Sequence, residues 1–497
     1  MTQQASSRTE LVAGLDLGTQ GVRIIIANAT GEIVAQASHT FPHNNSSPAD
    51  LEDPNRFEQD PRIWWAATVD CLRQASQQLA PEQSALQALA ITSTSGTICL
   101  LDADGEPLHP AIMYSDQRAT DQSHLLNETL SNQTITHGYR FNASFGLPKI
   151  CWMRHHHPAI FAATRFIAHA NDFLAGKLTG EYGISDWSHA LKTGYDLIEQ
   201  TWPPALWQEL NLPAESFPHI VAPGVTIGHV TPQAAEQTGL PAGLPVVAGM
   251  TDGCTGQIAG GAVAAGQWLS VLGTTLVFKG VTHDLLYDPQ GRIYSHRHPA
   301  GMWLPGSASN TGGEVLVRRF PDANLAAMDQ KAARLTPSGI LCYPLERSGE
   351  RFPFLNSSAR GFLVGETDTE GYYTACLEGV GYIERLAYET LIQLGATVNE
   401  AIYVTGGGTR SPVWLQIRAN ILNRPLLVPQ HPEAAFGAAV LAGGATLYPD
   451  LVTATHAMVQ TRQQIEPQAV AQRYAELYAQ FLEECQEHGY LNERKER

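Results

Sequence analysis

The chain repeats itself at long range. Leu17-Gly18-Thr19-Gln20 and Leu272-Gly273-Thr274-Thr275 put the same Leu-Gly-Thr turn 255 positions apart, at 18 and 273, in a chain of 497 residues. Apolar runs flank each copy, Leu11 to Leu15 and Val22 to Ala27 around the first, so each half predicts a strand, a tight turn and a second strand. Such a turn can aim backbone N–H groups and a threonine hydroxyl at one point, which makes a concavity for an anion. Two of them facing a common cleft would suit a polyphosphate.

The length accommodates two or three domains, each able to bury its own core. A formal net charge of −17 excludes a broad nucleic-acid or anionic-membrane surface, since both draw on clustered Lys and Arg. A phosphorylated ligand must therefore be held by local donors. Seven scattered cysteines without a C-x-x-C pair predict neither a disulfide framework nor a zinc site. No apolar stretch reaches transmembrane length, and the run Leu11 to Leu15 is too short for a signal-peptide core. The expectation is a cytoplasmic protein with small-molecule partners, no nucleic acid and no membrane; a homodimer stays open.

Along the chain, Asn28-Ala29-Thr30-Gly31 turns into a third strand near Glu32, an antiparallel start. Asp60-Pro61 gives an N-cap and an N1 proline for a helix to about Leu79, with apolar residues at Ile63, Trp64, Ala67 and Cys71. A strand near Leu89 to Thr92, a strand pair split by Asp104-Gly105, a helix capped by Thr231-Pro232 and a strand from Leu244 to Met250 continue an α/β alternation. Later come a strand from Ala401 to Thr405, the turn Gly406-Gly407-Gly408, a helix from Ser411 and a C-terminal helix over about 469–487. The second half is expected to begin near Thr251-Asp252-Gly253, giving domains 1–247 and 248–497.

Several residues are candidates for chemistry. Asp16 closes the first strand at the mouth of the Gly-Thr turn, where a carboxylate is useful if a divalent cation, Mg²⁺ by its few protein ligands, lies between it and a phosphate. The plainer alternative is that it receives turn N–H bonds. Asp252 reads either as a helix N-cap or as a general base orienting a hydroxyl and taking its proton late in phosphoryl transfer. The triple glycine lacks the G-x-G-x-x-G spacing of a dinucleotide fingerprint, yet it precedes Trp414, either a stacking surface for adenine or a core residue. His155-His156-His157 reads as a solvated loop rather than a metal site, and Arg23 as facing a phosphate or a surface carboxylate.

The series DLGTQGVR, MTDG, VLGTT and VTGGGTRSPVWLQIRANIL followed by EAAFGAA resembles the FGGY family of carbohydrate kinases over Leu11 to about Gly444. The resemblance implies two actin-like, ribonuclease-H-like α/β domains with a central ATP and sugar cleft. It implies Asp16 as the magnesium-associated and substrate-side aspartate, Asp252 as catalytic base, and Gly18, Thr19, Gln20, Gly273, Thr274 and Thr275 as phosphate loops, with Arg23 beside the first. Gly406, Gly407, Gly408, Ser411 and Trp414 correspond to the adenosine loop. Ser185 to Ala190 is similar to a substrate-domain segment, and Gly349-Glu350-Arg351-Phe352-Pro353 to one near the cleft.

Where common bacterial xylulokinases carry Q-M-H-G against the sugar, this chain has Thr94-Ser95-Gly96-Thr97; for the glycerol kinases' W-x-D-x-R it has Tyr114 to Arg118. Ser95 and Gly96, with Ser309 to Gly313, resemble the xylulokinase-like branch that phosphorylates D-ribulose. Asp116 and Arg118 are sugar contacts or an exposed ion pair. The expected activity is ATP-dependent phosphorylation of D-ribulose; a kinase for D-xylulose or another polyol and an actin-like ATP-binding switch are the alternatives.

Overall fold

The computed structural model describes residues 10–41, 53–79, 82–130 and 139–491. They fall into two compact units, one drawn from Met1–Gly261 with His296–Gly301 and His431–Gln460, the other from Ala262–Ser295, Met302–Gln430 and Thr461–Arg497.

In the first unit, Val22 to Ile26, β-branched except at Arg23, pairs antiparallel with Leu11–Gly18, closing at Gly18 opposite Gly21 so that only Thr19 and Gln20 form the turn. Ile33–Thr40 adds the third antiparallel strand. On the other side of Leu11–Gly18 come Leu86–Ser93 and Pro245–Val247, both parallel, and then Thr226–His229, antiparallel at the edge. The expected strand from Leu244 to Met250 is thus confined to three residues. Cys99–Leu101 pairs with Phe166–Ala168 instead of across Asp104-Gly105, where isolated bridges from Leu101 to Pro107 and from Ile98 to Ile112 form.

The second unit repeats this topology. Trp303–Ser309, Leu276–Gly280 and Trp268–Leu272 form an antiparallel meander, followed by parallel Ile402–Thr405 and Leu426–Pro429 and antiparallel Thr461–Ile465. The 255-residue echo is therefore a duplication of a whole sheet, and its two copies are the first hairpin turn of each. The helix Thr369–Gln393 buries eighteen of its residues, and its buried apolar side chains, Tyr373, Leu377 and Tyr388 among them, join a core shared with Trp268 and Phe278.

The units do not part at 247/248. The helix Asp252–Gly260 stays with the first unit because its backbone touches that of Ala434–Thr446: a Cβ on Gly437 would lie 1.8 Å from Thr255 O. The same helix lies on the first sheet, where a Cβ on Gly14 would meet Ala435 O at 2.0 Å. The motif EAAFGAA thus serves close packing in the first unit, with small residues permitting the approach. His155 and His156 form the last turn of the helix Gly146–His156 and His157 caps the next, so the triple histidine is a helix end rather than a loop.

Candidate active site

In the first unit the candidate residues gather at the carboxyl ends of three adjacent parallel strands, the usual ligand edge of an open α/β sheet. Asp16 is on the Leu11 strand opposite Thr92, Ser93 bridges to Thr251 beyond the third strand, and Asp252 follows at once. Thr92 ties these ends together, its hydroxyl donating to Met250 O at 2.7 Å and lying 2.9 Å from Thr255 Oγ1. Asp252 is the first residue of its helix and not its cap; Thr251 holds the cap position, and Asp252 Oδ1 accepts from Gly253 N at 2.6 Å.

Asp16 is the most perturbed carboxyl of this edge. Burial, then the charge of Asp252, push its pKa from 3.8 up to about 7, against the pull of Arg23 across the hairpin. Arg23 thus faces Asp16 electrostatically. Asp16 Oδ1 is buried with no hydrogen-bond partner among the described residues, so it does not receive the turn N–H bonds of the plainer reading. Two like charges and an orphaned oxygen fit a hard divalent cation, which takes a carboxylate oxygen and keeps most of its waters. No cluster of three or more His, Cys, Asp or Glu suited to a metal occurs among the described residues, so Asp16 would hold the ion with few protein partners.

A buried polar network supports Asp252, and the sequence reading missed it. Asp186 Oδ1 accepts from Ser188 N at 2.8 Å, Ser188 Oγ at 2.5 Å and His189 N at 3.1 Å, capping a short helix. Its Oδ2 lies 2.6 Å from His189 Nδ1, whose Nε2 is 3.0 Å from Ser93 Oγ. Ser188 Oγ then accepts from Thr251 N at 2.9 Å, reaching the residue before Asp252. Burial opposes both charges, but the His189 charge holds Asp186 below the carboxylate range, and Asp186 raises His189. The Asp-x-Ser-His spacing was a helix-cap signal; its distant partners were not legible.

Asp116 and Arg118 are not an exposed pair. Asp116 is 1% exposed and accepts from Phe57 N at 2.8 Å and from Arg118 Nη2 at 2.7 Å, while Arg118 also reaches Glu58 at 2.5 Å and stacks 4.4 Å over Trp152. Burial opposes the charge on Glu58, but Arg118 and Arg56 hold its carboxyl below the usual range, which makes the group framework for the strands around it. Ser95 is half-buried, and its hydroxyl engages no described residue. Gly96 has φ +82 and is pressed to Ser144 O, where a Cβ would come within 2.1 Å.

In the second unit the two glycine turns adjoin at the carboxyl ends of neighbouring parallel strands. Gly406, at φ +89, and Gly408 are packed against Leu272, their Cβ positions 2.5 Å from its carbonyl and 2.4 Å from its side chain. Gly407 would meet nothing within 4 Å, and Gly273 only Thr275 O at 3.9 Å; Gly18 in the first unit is equally open at 3.6 Å. Neither backbone conformation nor protein packing requires glycine at these three positions, so the space above them is available to a closely approaching ligand. Ser411 caps the helix Pro412–Leu422 by accepting from Trp414 N at 3.1 Å. Trp414 is a core residue: it is 4% exposed and its Nε1 donates to Leu377 O at 3.0 Å, which leaves it no face for an adenine.

Residues 11–259 match the N-terminal domain of the FGGY family of carbohydrate kinases and residues 269–446 its C-terminal domain. The chain is 30% identical to the xylulose kinase of Escherichia coli over 83% of its length and 85% of that protein. It is 28% identical to an autoinducer-2 kinase of Klebsiella pneumoniae over 95% and 92%. The xylulose kinase of Rhodospirillum rubrum has the same fold, with a TM-score of 0.85 at 28% identity over 97% of this chain and 99% of that one. No helix among the described residues is long and apolar enough to cross a membrane. With a duplicated two-domain α/β fold and both domain signatures, the chain belongs to the FGGY family of carbohydrate kinases.

Proposed function

We propose that the protein transfers the γ-phosphoryl group of ATP to the terminal hydroxyl of a pentulose, D-ribulose before others. The observation that carries the reading is the carboxyl edge of the first sheet, where Asp16, with its orphaned oxygen, lies within reach of the charge of Asp252. Asp252 orients the sugar hydroxyl and accepts its proton; the oxygen attacks the γ-phosphorus and the bond to the β-phosphate oxygen breaks, releasing ADP. Backbone donors of Thr274 and Thr275, and of Gly407 in the adjoining loop, receive the nucleotide where no side chain intervenes. Asp16 would hold a divalent cation, which would supply positive charge to the phosphates.

D-Ribulose is supported by the Thr94-Ser95-Gly96-Thr97 segment, which replaces the sugar-side segment of common xylulokinases. D-Xylulose is the second reading, supported by the xylulose kinases among the relatives. The test is ADP release across D-ribulose, L-ribulose, D-xylulose, L-xylulose, ribitol and glycerol with a no-sugar control. A tenfold preference for D-xylulose removes the ribulose assignment, and turnover independent of every sugar removes the kinase reading.

A further inference from the structure

Glu350 is 2% exposed, and five donors converge on its two oxygens. Asn310 N and Arg351 N reach Oε1 at 2.6 and 2.9 Å; Ser309 Oγ, Thr311 Oγ1 and Tyr343 OH reach Oε2 at 2.7, 3.0 and 3.0 Å. Donors on every side suit a carboxylate, which accepts only. Three of the five come from Ser309 to Thr311, where the strand Trp303–Ser309 of the second sheet ends, so the carboxylate fixes that segment's path.

That segment is in turn splinted to the Gly-Thr turn. Gly313 N donates to Gly273 O at 2.8 Å, Glu314 N to Thr274 O at 3.1 Å, and Leu276 N to Thr311 O at 2.9 Å. The approach is close enough that a Cβ on Gly312 would lie 2.6 Å from Thr274 O and one on Gly313 2.7 Å from Gly273 O. Each peptide is planar and trans, so a carbonyl tied on one side points the N–H of the following residue to the other. Holding Gly273 O and Thr274 O against residues 313 and 314 therefore aims the N–H groups of Thr274 and Thr275 away from the splint. An anion site built from backbone donors depends on that aim.

We infer that Glu350 is a positioning residue for nucleotide: by gathering Ser309 to Thr311 it fixes the peptide planes of the Gly273–Thr275 turn that receives the phosphates. The inference rests on the kinase reading and adds a residue that does not itself touch the ligand. Glu350→Gln keeps the volume but turns one acceptor oxygen into a donor facing donors. The experiment is calorimetric titration of the full chain with ADP and with ATP in the presence of Mg²⁺, together with steady-state KM for ATP and for the sugar. Glu350→Gln should raise the nucleotide Kd and the KM for ATP tenfold or more while the sugar KM stays within twofold. Tyr343→Phe and Thr311→Val, each removing one donor, should raise the nucleotide Kd two- to fivefold and stand in if Glu350→Gln does not fold. Unchanged nucleotide affinity in the folded variants, or equal loss of sugar and nucleotide affinity, overturns the inference while leaving the kinase reading intact. A parent protein that binds no nucleotide overturns both.

Discussion

Asp16 offers a measurement that counts protons. With its pKa at about 7, the carboxyl is roughly three-quarters protonated at pH 6.5 and roughly one-tenth protonated at pH 8. A cation bound to Asp16 stabilises the ionised form, so binding expels that proton. The wild-type protein should release about 0.8 more protons than Asp16→Asn on binding Mg²⁺ with ADP at pH 6.5, and about 0.1 more at pH 8. Calorimetry in two buffers of different ionisation enthalpy reads the difference. The sign for stability runs with the same shift. The native carboxyl keeps its proton up to about pH 7 while the unfolded one loses it near 3.8, so stability falls as pH rises between those values. Above that window the metal-free protein carries a penalty of about 4 kcal/mol, at 1.36 kcal/mol per pH unit. Asp16→Asn should therefore raise the first unit's thermal midpoint in chelator at pH 8 by more than it does at pH 5. Equal proton release by the two proteins, or an equal stability gain at both pH values, would refute the buried, cation-seeking carboxyl.

Asp252→Asn should leave nucleotide affinity unchanged and lower kcat by roughly 10²-fold or more, the scale of a positioned base; near-normal turnover in steady-state assays removes Asp252 from the reaction. Gly273→Val should weaken ATP binding with little loss of thermal stability because its Cβ meets only Thr275 O at 3.9 Å, whereas Gly408→Ala, pressed on Leu272 at 2.4 Å, should lower stability; paired melting curves and ATP titrations separate the two. Ser188→Ala removes the acceptor of Thr251 N and should cost about 1–3 kcal/mol of stability together with a fall in kcat, and a variant with native melting behaviour and turnover would detach that network from Asp252. Ser95→Ala should weaken kcat/KM for D-ribulose by roughly 1 to 3 kcal/mol, and an unchanged value would take Ser95 out of the sugar site.

What the sequence determined by itself was the set of features written in local pattern. The β-branched run before Ala27, the two-residue turn at Thr19 and Gln20, and Asp60-Pro61 ahead of Trp64 are decided by neighbours a few residues apart, and they form as read. The echo of Gly18-Thr19 in Gly273-Thr274 was legible for the same reason and carried the duplicated fold with it. Tertiary structure decided whatever depends on partners far along the chain. Asp252 belongs with Asp16 because Gly437, 185 positions beyond it, lets the helix Ala434–Thr446 press against Thr255 and Gly14. Trp414 is core and Asp116 is locked to Phe57 directly and to Glu58 through Arg118, because burial is a property of three-dimensional neighbours, which periodicity cannot report. The same holds for the five donors around Glu350: each is an ordinary residue in sequence, and only the fold brings them to one carboxylate.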